Sequence, residues 1–192
     1  MNQIKIPETR FPIMDLVRHR WSARSFKADQ DLTQDQLHTL IESASWAASA
    51  NNEQPWRFIL AARGTDNYQK VYDCLMEGNR PWCKNAAAFV VTLIHTKFEK
   101  TGKDNFNAMH DLGMANATLL LQATHMGIAS HPMAGFDKAA LTEKFGLPED
   151  IKPMVTIALG YLDAPEKLEE PYQGRELTPR NRKTVEELIL SR

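Results

Sequence analysis

Cysteine is scarce in this chain. Cys74 and Cys83 are the only two among 192 residues; their separation fits neither a redox pair nor a zinc knuckle, and a chain of this length needs no disulfide staple. Both are read as reduced thiols of a cytoplasmic protein. Long apolar runs are missing as well, since nothing approaches the ~20 residues of a membrane span. The first eleven residues carry Pro7 and Glu8 where an export signal has its apolar stretch. Neither export nor membrane insertion is expected.

An excess of either charge is also absent. With 23 Lys and Arg against 24 Asp and Glu the formal net charge is -1, so the chain has no global attraction for nucleic acid or anionic lipid. Any cationic site has to come from clustered arginines. Glycine-rich phosphate loops are lacking too: neither the turn of a nicotinamide-binding Rossmann unit nor a glycine-rich run ending in lysine occurs. The histidines, His95, His110, His125 and His131 among them, show no metal-ligand spacing, which favours structural or surface roles. No metal site is expected. Ser22 and Ser49 lie in no nucleophile elbow and have no assignable base, so a hydrolase fits poorly.

What is present is ordinary globular material. Apolar residues make up 43% and charged residues 24%, which suits a packed core and argues against a disordered or fibrous chain. No repeat or composition break divides residues 1–192, which read as one domain. Residues 12–18 predict a short helix with Ile13, Met14, Leu16 and Val17 to bury. Thr33 and Gln36 form a capping-box pattern, and Leu37, Leu40, Ile41, Ala44 and Ala48 recur at helical spacing. Residues 57–61 predict a strand, and residues 65–76 a helix closed by Gly78 in a left-handed turn. The near-continuous apolar run over 86–94 is expected of a central strand covered on both faces.

Residues 107–126 predict the core helix, with Met109, Leu112, Gly113, Ala117, Leu120 and Ala123 or Thr124 on one stripe. Gly127 closes it. A short strand from Ile128, a helix capped by Asp137 and stopped by Gly146, and a strand over 154–161 follow. Beyond Gly160 the charged, proline-bearing residues up to Arg182 read as an extended tail that needs a surface to pack on, with only residues 185–190 helical after it. The pattern is layered α plus β.

Four segments carry chemistry. Arg18, Arg20 and Arg24 crowd around Ser22, an arrangement suited either to a phosphate, through guanidinium forks, or to a solvated helix end. Arg180, Asn181, Arg182 and Lys183 form a second basic run, which on its own reads as a solvated face. Ser49, Ala50, Asn51, Asn52, Glu53 and Gln54 precede Pro55 and Trp56; small residues there allow close backbone approach and the amides suit a polar heterocycle, or else the stretch simply ends a helix before a core tryptophan. Finally, His131, Pro132, Met133, Ala134, Gly135 and Phe136 form a small-residue turn between strand and helix whose amides either face a ligand or simply connect the two elements.

In this order the segments resemble the nitroreductase family, and the resemblance runs from about Val17 into the tail. The family opens with an arginine, serine, basic pattern similar to Arg20, Ser22 and Arg24. Small residues then precede the counterparts of Gln54, Pro55, Trp56, Arg57 and Phe58. An aspartate-and-glycine helix like Asp111, Gly113 and Ala117 follows, then a turn ending Gly135, Phe136 and Asp137, and the pattern closes near Arg180 and Arg182. Two positions depart from it: Trp21, where a polar residue is common, and Ala134, where some members carry glutamate. Trp21 reads as a core anchor or as a cofactor cover.

The resemblance implies an α+β fold: a three-layer α/β/α sandwich with a mixed, largely antiparallel sheet and an extended C-terminal arm, residues 163–192, wrapping the partner of a homodimer. It implies FMN at the subunit interface. Arg20, Ser22 and Arg182, with Arg180, would hold the phosphate and ribityl chain, with Trp21 beside them and Arg24 at the pyrimidine edge. Pro132 and Met133 would cover one ring face, the backbone of Ala134 and Gly135 would approach N5, and Ser49, Ala50, Asn52 and Gln54 would complete the pocket. Residues 80–84 would line the open face. The implied activity passes hydride from NADH or NADPH to a nitroaromatic, quinone or related small acceptor by a ping-pong mechanism centred on the flavin, with no catalytic side chain. The alternative is a module that stores or senses FMN without rapid turnover.

Overall fold

The computed structural model describes residues 3–191. In chain order the elements are a 3-10 turn at Gln3–Lys5, α1 (Asp15–His19), α2 (Gln34–Ser45), a 3-10 turn at Ala50–Asn52, β1 (Trp56–Ala62), α3 (Asp66–Cys74), α4 (Arg80–Cys83), β2 (Ala88–His95), α5 (Ala108–His125), β3 (Ala129–Met133), α6 (Lys138–Phe145), β4 (Ile151–Gly160), a 3-10 turn at Pro165–Lys167, α7 (Tyr172–Leu177) and α8 (Val185–Leu188). The strands form one sheet in the order β1-β2-β4-β3, antiparallel throughout. A single parallel bridge among the described residues, Ser22 to Ser130, adds mixed pairing beside β3.

β2 shows why the sheet is central. Its alternate residues face opposite ways: Ala88, Val90 and Ile94 join the core under α2 and α5, while Phe89, Val91 and Leu93 join the core under α3, α4 and α6. Both faces are therefore covered, giving the three-layer sandwich expected. Burying each such leucine or phenylalanine stabilises the fold by roughly 2 kcal/mol.

Local signals place the helices. Thr33 and Gln36 make the full capping box of α2, Asp137 caps α6 through the N–H of Ala140, and Gly127 closes α5 at φ 71°. Four expectations are corrected. Gly78 is not left-handed, because α3 ends at Cys74 with an extended Leu75. The core stripe of α5 is Ala108, Asp111, Leu112, Ala115, Leu119 and Ala123; Met109, Gly113 and Ala117 are exposed. α1 buries none of its residues, leaving Ile13, Met14 and Val17 exposed. The last strand begins earlier, at Ile151: the register shift between Thr92 and Leu93 leaves Met154 as the extra residue of a bulge directly after Pro153, whose missing N–H is tolerated beside such an irregularity.

Part of the tail folds back as α7. Lys5 Nζ donates to the carbonyls of Arg175 and Thr178, and the Tyr172 hydroxyl donates to the Gly78 carbonyl, so α7 packs on its own chain. Beyond Arg180 the residues are exposed, Leu190 to 98%.

Candidate functional site

α1 delivers the chain into a segment bridged to β3 at Ser22 and to Leu162 at Phe26. Along it Ala23 and Ser25 turn inward and Arg20, Ser22 and Arg24 remain partly exposed. Arg180 reaches this segment from the tail, donating to the carbonyls of Arg18 at 2.6 Å and Lys5 at 3.1 Å. The Arg20 guanidinium is held below its usual pKa by burial first and then by repulsion from Arg180 and Arg182; Arg180 is depressed by burial and by Arg182. The ion pairs of the described residues include none of these three arginines. Three mutually repelling cations with no carboxylate between them form a site that a phosphate would relieve. The two ends of the chain therefore converge within one subunit.

Arg24 lies differently. Its Nη1 is 3.6 Å from Oε1 of Glu176, which is 1% exposed, and its guanidinium stands 5.8 Å over the Trp82 ring. Burial is the largest influence on both partners, lowering the arginine and raising the glutamate, so desolvation outweighs their attraction. His131 closes the back of this layer, 4.4 Å from Trp82 between ring centroids. Its Nδ1 is 2.9 Å from the Ala23 carbonyl; as that oxygen only accepts, the nitrogen donates. Burial lowers the His131 pKa to about 4, keeping the ring neutral. Trp21 is half-buried beneath Lys5 Nζ at 5.0 Å and lines a 60 Å³ crevice with Arg20, Thr124 and Ser130, so it is a wall of the basic site rather than a core anchor.

The 49–54 turn is strained and anchored. Asn51, Asn52 and Gln54 all take positive φ, near 50° to 56°, a conformation that costs of order 1 kcal/mol or more each away from glycine. The Ala50 N–H donates to Asp111 Oδ2 at 3.1 Å, and the Gln54 N–H donates to Ser49 Oγ at 3.1 Å. Asn52 and Gln54 line a cavity of about 800 Å³ between α2 and β1, with Trp46, Arg57 and Phe58. Trp56 is in the core, as one reading of this stretch expected.

At the end of β3, Ala134 is exposed and Pro132 half-buried. Gly135 is pinned by its carbonyl, which accepts from the Met76 N–H and from Asn79 Nδ2 at 2.9 Å. Met133 corrects an expectation: its side chain is buried with Sδ 3.5 Å from Cys83 Sγ, so it packs in the core rather than over a ring face. Residues 80–84 likewise turn Trp82 and Cys83 into the core.

The structure thus brings Arg180 to the Arg18 carbonyl beside Arg20 and leaves Arg24 with Glu176, while Arg182 is exposed and donates to the carbonyl of its neighbour Asn181. It does not bring the 49–54 turn to the arginines. That turn is tied to Asp111 near one end of α5, whereas the arginine crevice includes Thr124 near the other, ~20 Å away along the helix. Sequence reasoning missed Glu176, Lys5 and Asn79. Each acts on groups distant in sequence, and a six-residue helix such as α7 offers no periodicity to mark its buried position.

Comparison with known proteins follows the same segments. The profile described as Nitroreductase family matches residues 17–82 and 69–161. An Archaeoglobus fulgidus protein provisionally named an NADH dehydrogenase/NAD(P)H nitroreductase is 28% identical over 152 residues, covering 77% of this chain and 84% of its own. A crystal structure of an FMN-containing oxidoreductase superposes with a TM-score of 0.90 at 29% identity, covering 95% of this chain and 93% of its own. A provisionally named nitroreductase from Desulfovibrio desulfuricans, crystallised in complex with FMN, shares the fold with a TM-score of 0.75 at 19% identity, covering 96% and 98%.

Proposed function

Because this chain belongs to the nitroreductase family, we propose that it is a cytoplasmic, homodimeric FMN oxidoreductase that draws electrons from NADH or NADPH and passes them, by a ping-pong route, to a nitroaromatic, quinone or related small acceptor. The observation that carries this reading is the reach of Arg180 from the tail to the Arg18 carbonyl beside Arg20, with Arg180 and Arg20 both absent from the ion pairs of the described residues. Its chemistry fits a phosphorylated cofactor: the guanidiniums supply planar donors, and Ser22 adds a hydroxyl beside them.

FMN, when bound, supplies the acceptance and release of hydride, and the protein supplies position, charge and exclusion of water. Arg20, Arg180 and Arg182 would hold the phosphate end. Arg24, ~13 Å along the extended segment from Arg20, would serve the pyrimidine edge, where a cation favours extra negative charge. Ala134 and Gly135 would present backbone amides to the ring from a turn that Asn79 holds still. Ser49, Ala50, Asn52 and Gln54 would come from the partner subunit, since α5 separates them from the arginines of their own chain.

Exposed apolar side chains support the second copy. Met14, Val17, Phe106 and Met109, together with Leu188, Ile189 and Leu190 in the tail, have no cover in one chain. A second copy would bury them. The test is direct: the protein purified with FMN is expected to be a yellow dimer that NADH or NADPH bleaches without oxygen and that an acceptor recolours. A colourless monomer that takes up no FMN would defeat the proposal. Bound FMN with negligible turnover against a panel of acceptors would favour the storage or sensing alternative.

A further inference from the structure

Arg24 and Glu176 form an ion pair unlike the others in the molecule. Eight of the nine ion pairs of the described residues include a partner at least one-third exposed, whereas here Arg24 is 22% and Glu176 1% exposed. Burying such a pair costs desolvation on both sides, and the structure invests further contacts in presenting it. Lys5 grips the carbonyls of Arg175 and Thr178, on either side of Glu176. Tyr172 ties the start of α7 to Gly78. Trp82 covers the guanidinium, with neutral His131 behind it. The carboxylate is therefore held against Arg24 by contacts from the N-terminus and from the loop before α4.

A carboxylate 3.6 Å from a cation turns a point charge into a dipole, whose field falls off faster with distance. Any group beyond Arg24 then feels less positive charge than arginine alone would give. We propose that Glu176 is a positioning residue that holds Arg24 and weakens its field at the pyrimidine edge of FMN, so that the C-terminal segment sets how readily the bound cofactor accepts electrons. The inference rests on the proposed function, because it takes Arg24 to border FMN. It assigns a role to a tail residue that no motif marks.

The experiment is an equilibrium reductive titration of the FMN-loaded dimer against a reference dye, for the native protein, Glu176→Gln, Glu176→Asp, Arg24→Gln and the double variant Arg24→Gln/Glu176→Gln. Removing the carboxylate charge is expected to raise the ratio of reduced to oxidised FMN at a fixed dye poise by roughly fivefold. Glu176→Asp, which retracts the carboxylate by one methylene, moves it the same way by less. In the Arg24→Gln background the Glu176→Gln effect is expected to shrink, because the glutamate no longer positions a cation at the flavin edge. A purely structural role for Glu176 would not give a charge-signed shift that depends on Arg24. The inference is overturned if the ratio stays constant or falls in Glu176→Gln, or if the full shift persists without Arg24. If Glu176→Gln does not fold, the sign of the Glu176→Asp shift decides. Failure of the native protein itself to retain FMN would refute the proposed function instead, and this inference with it.

Discussion

The carboxylate of Asp111, 1% exposed on the core face of α5, accepts the backbone N–H of Ala50 at 3.1 Å. This one bond ties the most regular element of the fold to its most strained turn. Replacing Asp111 with Ala removes the acceptor for a part-buried N–H and should destabilise the protein by about 1–3 kcal/mol. Asp111→Asn keeps an acceptor oxygen and is expected to lose less. Chemical denaturation of both variants checks the order, and equal losses would show that the Ala50 contact is not what Asp111 provides.

Gly135 has a different constraint. A Cβ built there lies 2.8 Å from Asn79 Nδ2, which is also the donor to the Gly135 carbonyl. Gly135→Ala should therefore displace Asn79 and cost roughly 1–3 kcal/mol. Combining it with Asn79→Ala removes the obstacle, so the double variant is expected to be more stable than the sum of the two single losses predicts. Strict additivity would mean that the two residues do not meet as described.

Arg20 and Arg182 make a prediction of opposite sign for binding and for folding. Arg182→Ala or Arg20→Ala should weaken FMN binding by roughly 10- to 100-fold, as expected for loss of a charge-assisted bond, measured by quenching of FMN fluorescence. The FMN-free protein should lose no stability, because each change relieves repulsion in the cluster. Unchanged affinity would remove that residue from the site.

His131 gives a pH dependence. Its ring is neutral in the fold, with a pKa of about 4 against an ordinary 6.5, so below pH 6.5 the unfolded chain takes up a proton that the folded chain refuses until near pH 4. Stability is fully present above 6.5 and declines as the pH falls through this window, by roughly 2 kcal/mol between pH 7 and 5. Urea denaturation at the two pH values, compared with His131→Asn, isolates the contribution; an identical slope in the variant would rule it out.

Much of the fold was legible because its signals are local. The Thr33 and Gln36 box, the Asp137 cap and the apolar run of β2 each act within a few residues of themselves. The phase of α5 was not legible. Met109, Gly113 and Ala117 are as apolar or small as Ala108 and Ala115, and hydrophobicity does not tell a face packed on the sheet from one left for another surface. Asp111 further misleads, since a charged residue looks like a solvent position until its bond to Ala50 is seen. In the site, the two basic runs were readable, and Arg180 does reach the first of them at the Arg18 carbonyl. Glu176 was not, because its reason for burial is Arg24, at the other end of the sequence, and neither residue alone carries a mark of the pairing.

The span of α5 between the Asp111-anchored turn and the arginine crevice has a genetic consequence. If each catalytic centre is assembled from the arginines of one copy and the amide-bearing turn of the other, an Arg182→Ala chain and an Asn52→Ala chain, each crippled alone, restore one another when co-expressed. Half of the centres in such a hybrid inherit both lesions and half inherit neither, so a heterozygous cell would keep activity that neither parent strain has.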